Sequence, residues 1–248
     1  MRTILVSGAA NGLGAAFIAA YAQQPETRIL AIDKNPIQTS HDNVSTSIVD
    51  LTEESTISAF ASSIKGIPID LVLHSAGVRG LVTHLEKENH GNVAACETLD
   101  VMDVATLMST FQINAVGTFL LIRAILPNLR LSQREHSSPP KVIVMSSRMG
   151  SLGNNRPSNG KTGTGSAYAY RASKAATNAM IRSFACDVPE ADFIMIHPGR
   201  VESGLVRWKE EGAISPEESL KTLLPMIENF DHEDNGKFYD RFGEQIEW

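Results

Sequence analysis

Three glycines that follow an apolar segment near the start of the chain constrain the fold most strongly. Residues 5–14 read LVSGAANGLG, with a strand-like run before Gly8 and a helical pattern after Gly14. Gly8 permits a sharp turn, Gly12 permits close approach of a pyrophosphate, and Gly14 permits tight packing of the helix on the sheet. The helix N-terminus then offers free N–H groups to an anion. The stretch predicts a dinucleotide phosphate site, although a strand-to-helix turn in another α/β protein has the same glycines.

Length and charge limit the class of protein. The chain has 248 residues, of which 42% are hydrophobic, and no linker divides it, so residues 1–248 are expected to form a single domain. Its net charge of −6 and scattered basic residues argue against nucleic acid or a membrane as partner. The first residues resemble no signal peptide and no apolar run approaches a membrane span, which predicts a cytoplasmic protein that binds a small molecule. The two cysteines, Cys96 and Cys186, lack zinc-like spacing and are interpreted as reduced thiols.

Apolar strand-like segments alternate with helical patterns along the chain. Strands are predicted at 28–32, 44–49, 69–73, 141–145 and up to 197, and helices at 13–23, 101–131, 167–187 and 216–230. This alternation predicts a doubly wound α/β fold, a Rossmann-type parallel sheet of about seven strands with helices on both faces. In such a sheet the ligand lies at the carboxyl ends of the strands.

Acidic residues end two of the predicted strands. Asp33 lies about 20 residues beyond the glycines, where a carboxylate can accept both ribose hydroxyls of an adenosine and repel a 2′-phosphate. The neighbouring Lys34 partly offsets that repulsion, and a solvated turn aspartate is the alternative. Asp50, which precedes Leu51, either contacts the adenine or caps the next helix. We therefore expect NAD as cofactor, with NADP the less favoured one.

Small residues and a polar segment follow the fourth predicted strand. Ser75, Ala76 and Gly77 permit a close approach of the backbone to a cofactor. Residues 80–100 contain two histidines and Cys96 among acidic side chains, but their spacing matches no standard metal site. This segment is interpreted as a solvated surface excursion, and no metal is expected.

A tyrosine and a lysine four residues apart carry the strongest chemical signal. On a helix this spacing places Tyr170 and Lys174 on one face, one turn apart. A nearby cation stabilises a phenolate and makes proton transfer by tyrosine feasible at neutral pH. Asn114 interrupts the long apolar helix, as a satisfied core amide or as part of a polar site, and Ser147 follows the strand at 141–145. The glycine-rich loop at 153–166 is interpreted as a flap beside this site.

These segments together resemble the short-chain dehydrogenase/reductase family over nearly the whole chain. SGAANGLG is similar to its TGxxxGxG loop, VDLT to its adenine-contacting aspartate, HSAG to its NNAG turn, and HPGRVES to its PGxVxT stretch. The branch it resembles most is that of C-factor and sniffer-like carbonyl reductases. The resemblance implies a catalytic tetrad of Asn114, Ser147, Tyr170 and Lys174. It also implies a cofactor site of Gly8, Asn11, Gly12, Leu13, Gly14, Asp33, Lys34, Asp50, Leu51, Ser75, Ala76, Gly77, Tyr170, Lys174, Pro198, Gly199, Val201 and Ser203.

The resemblance implies an oxidoreductase that transfers a hydride between a nicotinamide cofactor and a small alcohol or carbonyl substrate. Tyr170 would be the general acid or base, and Asn114 would hold a water that links Lys174 to solvent. A homodimer or homotetramer joined through the helices at 101–131 and 167–187 is expected. The alternatives are a signalling protein of C-factor type that binds the dinucleotide without turnover, and an epimerase or dehydratase.

Three departures from the family pattern are visible in the sequence. His74 and Ser75 replace both asparagines of NNAG, so the hydrogen bonds around the central strands must be rearranged. Ser203 stands where the family has the threonine of PGxVxT. The separation between Ser147 and Tyr170 is 23 positions, about ten more than usual, because of the loop at 153–166.

Overall fold

A seven-stranded parallel sheet forms the centre of the protein in a computed structural model that describes residues 1–136, 138–156, 165–208 and 210–248. The strands, in chain order, are β1 (Arg2–Ser7), β2 (Thr27–Asp33), β3 (Val44–Ile48), β4 (Leu71–His74), β5 (Lys141–Met145), β6 (Asp192–His197) and β7 (Phe238–Asp240). Their order across the sheet is β3-β2-β1-β4-β5-β6-β7, and every pair is parallel. The order of the strands reverses at β1: β2 and β3 lie on one side of it, and β4 and the later strands lie on the other. The boundary between β1 and β4 is therefore the switch point where doubly wound proteins bind ligands. The predicted fold is confirmed.

Helices cover both faces of this sheet. They are α1 (Gly12–Tyr21), α2 (Glu54–Ser63), α3 (Thr83–Glu88), α4 (Val104–Phe111), α5 (Thr118–Glu135), α6 (Tyr168–Asp187) and α7 (Pro216–Asn229). Alternate strand residues point to opposite faces, which divides the core into two layers. In one layer, apolar residues of α1 and α7 pack against residues such as Val6 and Ile194. In the other, those of α2, α5 and α6 pack against Leu5 and Phe193.

The predicted single helix at 101–131 is interrupted by a wider turn. It begins at α4, where the Asp103 side chain accepts a hydrogen bond from the N–H of Thr106. A π-helical turn (Gln112–Gly117) then joins α4 to α5. The carbonyl oxygen of Asn114, inside this turn, accepts hydrogen bonds from two threonine hydroxyls, Thr118 at 2.7 Å and Thr177 at 2.8 Å. These side chains satisfy a carbonyl group of the irregular turn.

The stretch Val104–Glu135 is long and apolar enough, by length and composition, to cross a membrane. This differs from the expectation that no segment approaches that length. Within the protein, however, 44% of its most apolar window is buried, and residues such as Leu121 and Ile125 belong to the sheet-facing core. Its buried residues thus belong to the core of the protein, and a cytoplasmic location stays a prediction.

Candidate active site

A cleft of about 480 Å³ runs along the carboxyl ends of the strands. Its walls contain the glycine loop, the ends of β2, β4, β5 and β6, and one face of α6. The structure brings together at this cleft all the residues predicted to contact a cofactor, and three of the four tetrad members, Ser147, Tyr170 and Lys174. Asn114 lies directly behind it, against Gly77.

The glycine loop leaves no room for side chains on the side that faces the cleft and the sheet. Gly8 has a φ of +67°, and a Cβ there would lie 2.6 Å from the amide nitrogen of Ala76. A Cβ on Gly14 would collide with the carbonyl oxygen of Gly8. Ser203 lies across the loop, so that a Cβ on Gly12 would come within 2.9 Å of its Cβ. These contacts explain why glycine is needed at the three positions, and binding of a pyrophosphate to this loop stays a prediction.

Asp33 is held firmly at the end of β2. Its Oδ2 accepts a hydrogen bond from the N–H of Ala10 at 3.0 Å, and its Oδ1 accepts one from the N–H of Asn35 at 2.8 Å. Each carboxylate oxygen keeps a further lone pair for a ligand hydroxyl. The carboxylate therefore links the glycine loop to β2 and fixes a negative charge on the cleft wall.

Asp50 also lines the cleft, but it does not cap α2 with its side chain. Its Oδ1 accepts hydrogen bonds from the N–H and the hydroxyl of Thr52, at 2.8 and 2.7 Å. These two bonds, that of the backbone first, lower the pKa of Asp50. The residue at the helix cap position is Glu53. Asp50 thus stabilises the turn before α2. Its contact with an adenine stays a prediction.

Tyr170, Ser147 and Lys174 are buried together at one end of the cleft. Burial raises the pKa of Tyr170, whereas the charge of Arg79 and a hydrogen bond with Ser147 lower it. Burial lowers the pKa of Lys174 to about 8. The Lys174 Nζ donates to the carbonyl oxygen of Met145 at 2.8 Å and lies 5.8 Å from the centre of the Tyr170 ring. The long loop between Ser147 and Tyr170 does not separate them.

Asn114 connects this group to the chain beyond β4. Its Nδ2 donates to the carbonyl oxygen of Val78 at 2.9 Å and to the hydroxyl of Ser173 at 3.0 Å, and its Oδ1 accepts from the N–H of Val78 at 2.8 Å. Both N–H donors of the amide are therefore used. The predicted water relay would depend on the second lone pair of Oδ1, and it stays a prediction.

His74 stands where the family has the first asparagine of NNAG, and both nitrogens of its ring are hydrogen-bonded. Its Nδ1 lies 2.7 Å from the hydroxyl of Ser7, and its Nε2 lies 2.7 Å from the hydroxyl of Thr118. Because Thr118 donates its own proton to the carbonyl oxygen of Asn114, we assign the proton of His74 to Nε2. Burial lowers the pKa of His74 to about 3, so the ring is neutral. The expected rearrangement thus runs from β1 through His74 to the turn that holds Asn114.

Ser75, at the second missing asparagine, has a different environment. Its Oγ is buried without a hydrogen-bond partner among the described residues. Because Ser75 lines the cleft, this hydroxyl is available to a bound ligand.

An ion pair inside the site was not predicted from the sequence. Arg79 and Glu97 form two hydrogen bonds of 2.9 Å, from Nε to Oε2 and from Nη2 to Oε1. Glu97 and Cys96 are buried, so the end of the segment at 80–100 is part of the interior, contrary to the expected surface excursion. The one indication in the sequence that Arg79 lies near the site is its position two residues after the HSAG turn. The predicted flap lies partly outside the described residues, at 157–164.

Comparison with known proteins identifies the family. The sequence profile described as short chain dehydrogenase matches residues 2–213. The chain belongs to this family. C-signal of Myxococcus xanthus is 32% identical over 192 residues, which cover 77% of this chain and 99% of that protein. A second relative, the 1-hydroxy-2-glutathionyl-2-methyl-3-butene dehydrogenase of a Rhodococcus species, is 29% identical and covers 81% and 78% of the two chains.

Solved structures match the short-chain dehydrogenase fold over the whole chain. Carbonyl reductase Sniffer of D. melanogaster has a TM-score of 0.83 at 22% identity and covers all of both chains. The NADPH-bound carbonyl reductase from chicken fatty liver has the same score and identity and covers 100% of this chain and 94% of that one. The predicted membership of the C-factor and sniffer-like branch is confirmed, and the protein is an oxidoreductase by family.

Proposed function

We propose that this protein interconverts small alcohols and carbonyl compounds with a nicotinamide cofactor, preferably NAD(H), and that Tyr170 transfers the proton. The observation that carries this proposal is the buried group of Tyr170, Lys174 and Ser147 at the end of a glycine-walled cleft. A tyrosine next to a lysine and a serine is suited to proton transfer at an oxygen, whereas the cleft is suited to a dinucleotide.

The residues of the cleft fit such a cofactor. A Cβ on Gly12 would occupy the space between the glycine loop and Ser203, and the unpartnered hydroxyl of Ser75 is a free donor on the wall. Gly8, Gly12 and the N-terminus of α1 would hold the phosphates, and Asp33 the adenosine ribose. When bound, the nicotinamide supplies or accepts the hydride.

The protein's own groups handle the oxygen of the substrate. Ser147 is proposed to donate a hydrogen bond to the substrate carbonyl, and Tyr170 to protonate the oxygen as negative charge develops there. Lys174, with an ammonium fixed by the Met145 carbonyl, favours the resulting phenolate and would hold the nicotinamide ribose. Because burial keeps Tyr170 protonated at neutral pH, reduction is favoured there, and oxidation should accelerate as the pH rises.

Substitution of Tyr170 tests the assignment of the proton donor. Tyr170→Phe removes only the hydroxyl, so turnover of a panel of ketones and alcohols, followed by NADH absorbance, should fall by at least about 100-fold, with cofactor affinity nearly unchanged. Tyr168→Phe is the matched control, because Tyr168 is two residues away and exposed. A Tyr170→Phe variant that keeps most of the wild-type rate would refute the role.

Cofactor preference is proposed from the charge at the end of β2. A fixed carboxylate facing a 2′-phosphate costs on the order of 1 to 4 kcal/mol, of which an exposed Lys34 recovers only part. We expect NAD(H) to bind at least about tenfold more tightly than NADP(H), although the related chicken enzyme is described with NADPH.

Titration of both cofactors into the wild-type protein is the direct test of this preference. Asp33→Ala combined with Lys34→Arg should shift it towards NADP(H), because the repulsion is removed and a phosphate partner is added. Lys34→Ala alone is the control and should strengthen the preference for NAD(H). Equal affinities in the wild type would mean that Asp33 does not face the ribose.

The relation to C-signal of Myxococcus xanthus supports a second candidate, a dinucleotide-binding signalling protein. The buried tetrad argues against it, because a binding module needs no buried tyrosine and lysine pair. Tight binding of NADH with no oxidation by any carbonyl compound of the panel would favour this second function.

A further inference from the structure

Arg79 brings a second cation close to the ring of Tyr170, besides Lys174. Its guanidinium carbon lies 4.9 Å from the centre of the Tyr170 ring, whereas the Lys174 Nζ is at 5.8 Å and donates to a carbonyl oxygen. A guanidinium at this distance over an aromatic face interacts favourably with the ring and with any negative charge on it. Two cations therefore lie within 6 Å of the centre of the Tyr170 ring.

The position of Arg79 is fixed by its partner. The paired hydrogen bonds to Glu97 use the Nε and Nη2 edge of the guanidinium, and the exposed fractions of the two side chains are only 19% and 7%. The remaining Nη1 lies 3.2 Å from the sulfur of Met149, close to Ser147 in the chain. Such a bidentate pair restricts the rotation of the arginine, so the guanidinium plane stays over the ring.

Glu97 also connects this pair to the start of the catalytic helix. Its backbone carbonyl accepts hydrogen bonds from the N–H of Ala167 at 2.9 Å and from the hydroxyl of Ser166 at 3.2 Å. Ala167 has a φ of +64°, an unfavourable conformation for alanine that these bonds stabilise immediately before α6. One residue thus fixes both the arginine and the entry to the helix that carries Tyr170.

We propose that Arg79, held by Glu97, is a second cation of the active site, which positions the Tyr170 phenol and favours its ionised form. This inference rests on the proposed role of Tyr170 in proton transfer. Neither Arg79 nor Glu97 belongs to the tetrad that the family resemblance implies. Glu97 weakens the effect of the cation, so the pair sets an intermediate proton affinity.

The groups that face Tyr170 act in opposite directions. Burial opposes ionisation most strongly. Arg79 and Ser147 favour the phenolate through charge and hydrogen bonding, whereas Glu97 and Glu210 oppose it through charge. The charge of Lys174, whose Nζ is 5.8 Å from the ring centre, also favours the phenolate. These opposite contributions permit a test that distinguishes an electrostatic role of Arg79 from a purely structural one. Removal of the cation and removal of its counter-charge must move the proton affinity of Tyr170 in opposite directions.

The test measures ionisation of Tyr170 directly and requires no substrate. The protein is labelled with [ζ-¹³C]tyrosine, and its four tyrosine resonances are followed by NMR from about pH 7 to about pH 11, with Tyr170→Phe to assign the signal. At a fixed high pH, Arg79→Met should reduce the ionised fraction of Tyr170. Glu97→Gln should increase it. Each change in proton affinity should stay below about tenfold.

Arg79→Lys is the conservative variant, and it should restore part of the wild-type ionisation because it keeps the charge. Shifts of the Tyr170 signal in the same direction for Arg79→Met and Glu97→Gln, or no shift in either, would overturn the proposal. Melting temperatures identify any variant that fails to fold, and Glu97→Gln, which keeps shape and acceptor, then decides alone.

The proposed function fails separately. If no ketone or alcohol is turned over, the reaction is wrong, while opposite shifts in the NMR titration still support the role of Arg79. If turnover occurs and the shifts are absent, only the inference about Arg79 is wrong. With a substrate in hand, the pH profile of oxidation should move to higher pH in Arg79→Met and to lower pH in Glu97→Gln.

Discussion

His74 shows how one side chain can replace the hydrogen bonds of another at a critical position. The family pattern has an asparagine there, whereas the imidazole spans from Ser7 on β1 to Thr118 at the start of α5. The ring is completely buried and neutral, since desolvation opposes its charged form. Its protonation on unfolding therefore links the stability of the protein to pH.

Stability should fall below neutral pH because of His74. Its pKa is about 3 in the folded state and about 6.5 when unfolded, so between these values the unfolded chain binds the additional proton. From pH 7 to pH 5 this linkage costs on the order of 2 kcal/mol of unfolding free energy. In His74→Asn, urea unfolding at the two pH values should show a difference smaller by that amount.

A second histidine, His197, also contributes to the pH dependence of stability. Burial also lowers the pKa of His197, to about 4, and this contribution remains in His74→Asn. The variant should therefore keep part of the pH dependence. An unaltered profile in His74→Asn would show that the ring is not buried in its neutral form.

Single residues also show where sequence reasoning stops. Tyr170 and Lys174 were predictable because four residues on a helix form one turn, and the pairing needs no tertiary information. Arg79 and Glu97 are 18 positions apart in a segment without periodicity. They meet only because the chain folds back over the start of α6. The pairing of two charges across an irregular segment has no local signal.

At the level of elements, the turn from β1 into α1 depends on the absence of one Cβ. Gly14 packs against the carbonyl group of Gly8, and an added methyl group would occupy the space of that oxygen. Gly14→Ala must therefore displace the loop from the helix. We expect loss of NADH binding by at least about tenfold and destabilisation of about 1 to 3 kcal/mol, as for other overpacked sites.

Isothermal titration with NADH and urea unfolding measure the two effects. Gly66→Ala is the control: Gly66 follows α2, and no atom lies within 4 Å of the position that an added methyl group would take. It should lose stability through its positive φ alone and bind NADH as the wild type does. Normal NADH affinity in Gly14→Ala would mean that the phosphates do not lie on this loop.

The break between α4 and α5 marks a limit of periodicity. The apolar pattern at 101–131 predicted one continuous helix, and both parts are indeed helical. The π-helical turn depends on Thr118 and Thr177, and Thr177 comes from a different helix. A carbonyl group satisfied from α6 cannot be read from the sequence of α4 and α5.

At the scale of the whole molecule, the parallel sheet and the position of the cleft at its carboxyl edge were predictable from the alternation of strands and helices and from the glycine loop, whereas no strand order was predicted. Strands with buried residues on both faces and a glycine loop after β1 leave few other topologies. The final aromatic run, GKFYDRFGEQIEW at 236–248, indicates a short strand, and β7 forms there at the sheet edge. The oligomeric state is a property of several chains together. The exposed faces of the helices indicate where two copies could pair.

The outer face of α4 is more apolar than a monomer requires. Val104, Met108 and Phe111 lie on one stripe and are exposed, with Met108 at 64%. Family members are commonly oligomeric, and we predicted pairing through the helices at 101–131 and 167–187. If this stripe is buried between two copies, a charge there must be desolvated without a partner, at a cost of several kcal/mol.

Met108→Glu should therefore dissociate the protein. We expect light scattering to give twice the mass of the chain, or a multiple of that, for the wild type at micromolar concentration, and a mass at least halved for Met108→Glu. Ile48→Glu is the control, because Ile48 is a similarly exposed apolar residue, at 59%, on the edge strand β3. It should leave the mass unchanged. A monomeric wild type would contradict the prediction of assembly, and a Met108→Glu variant with wild-type mass would exclude this face as the interface.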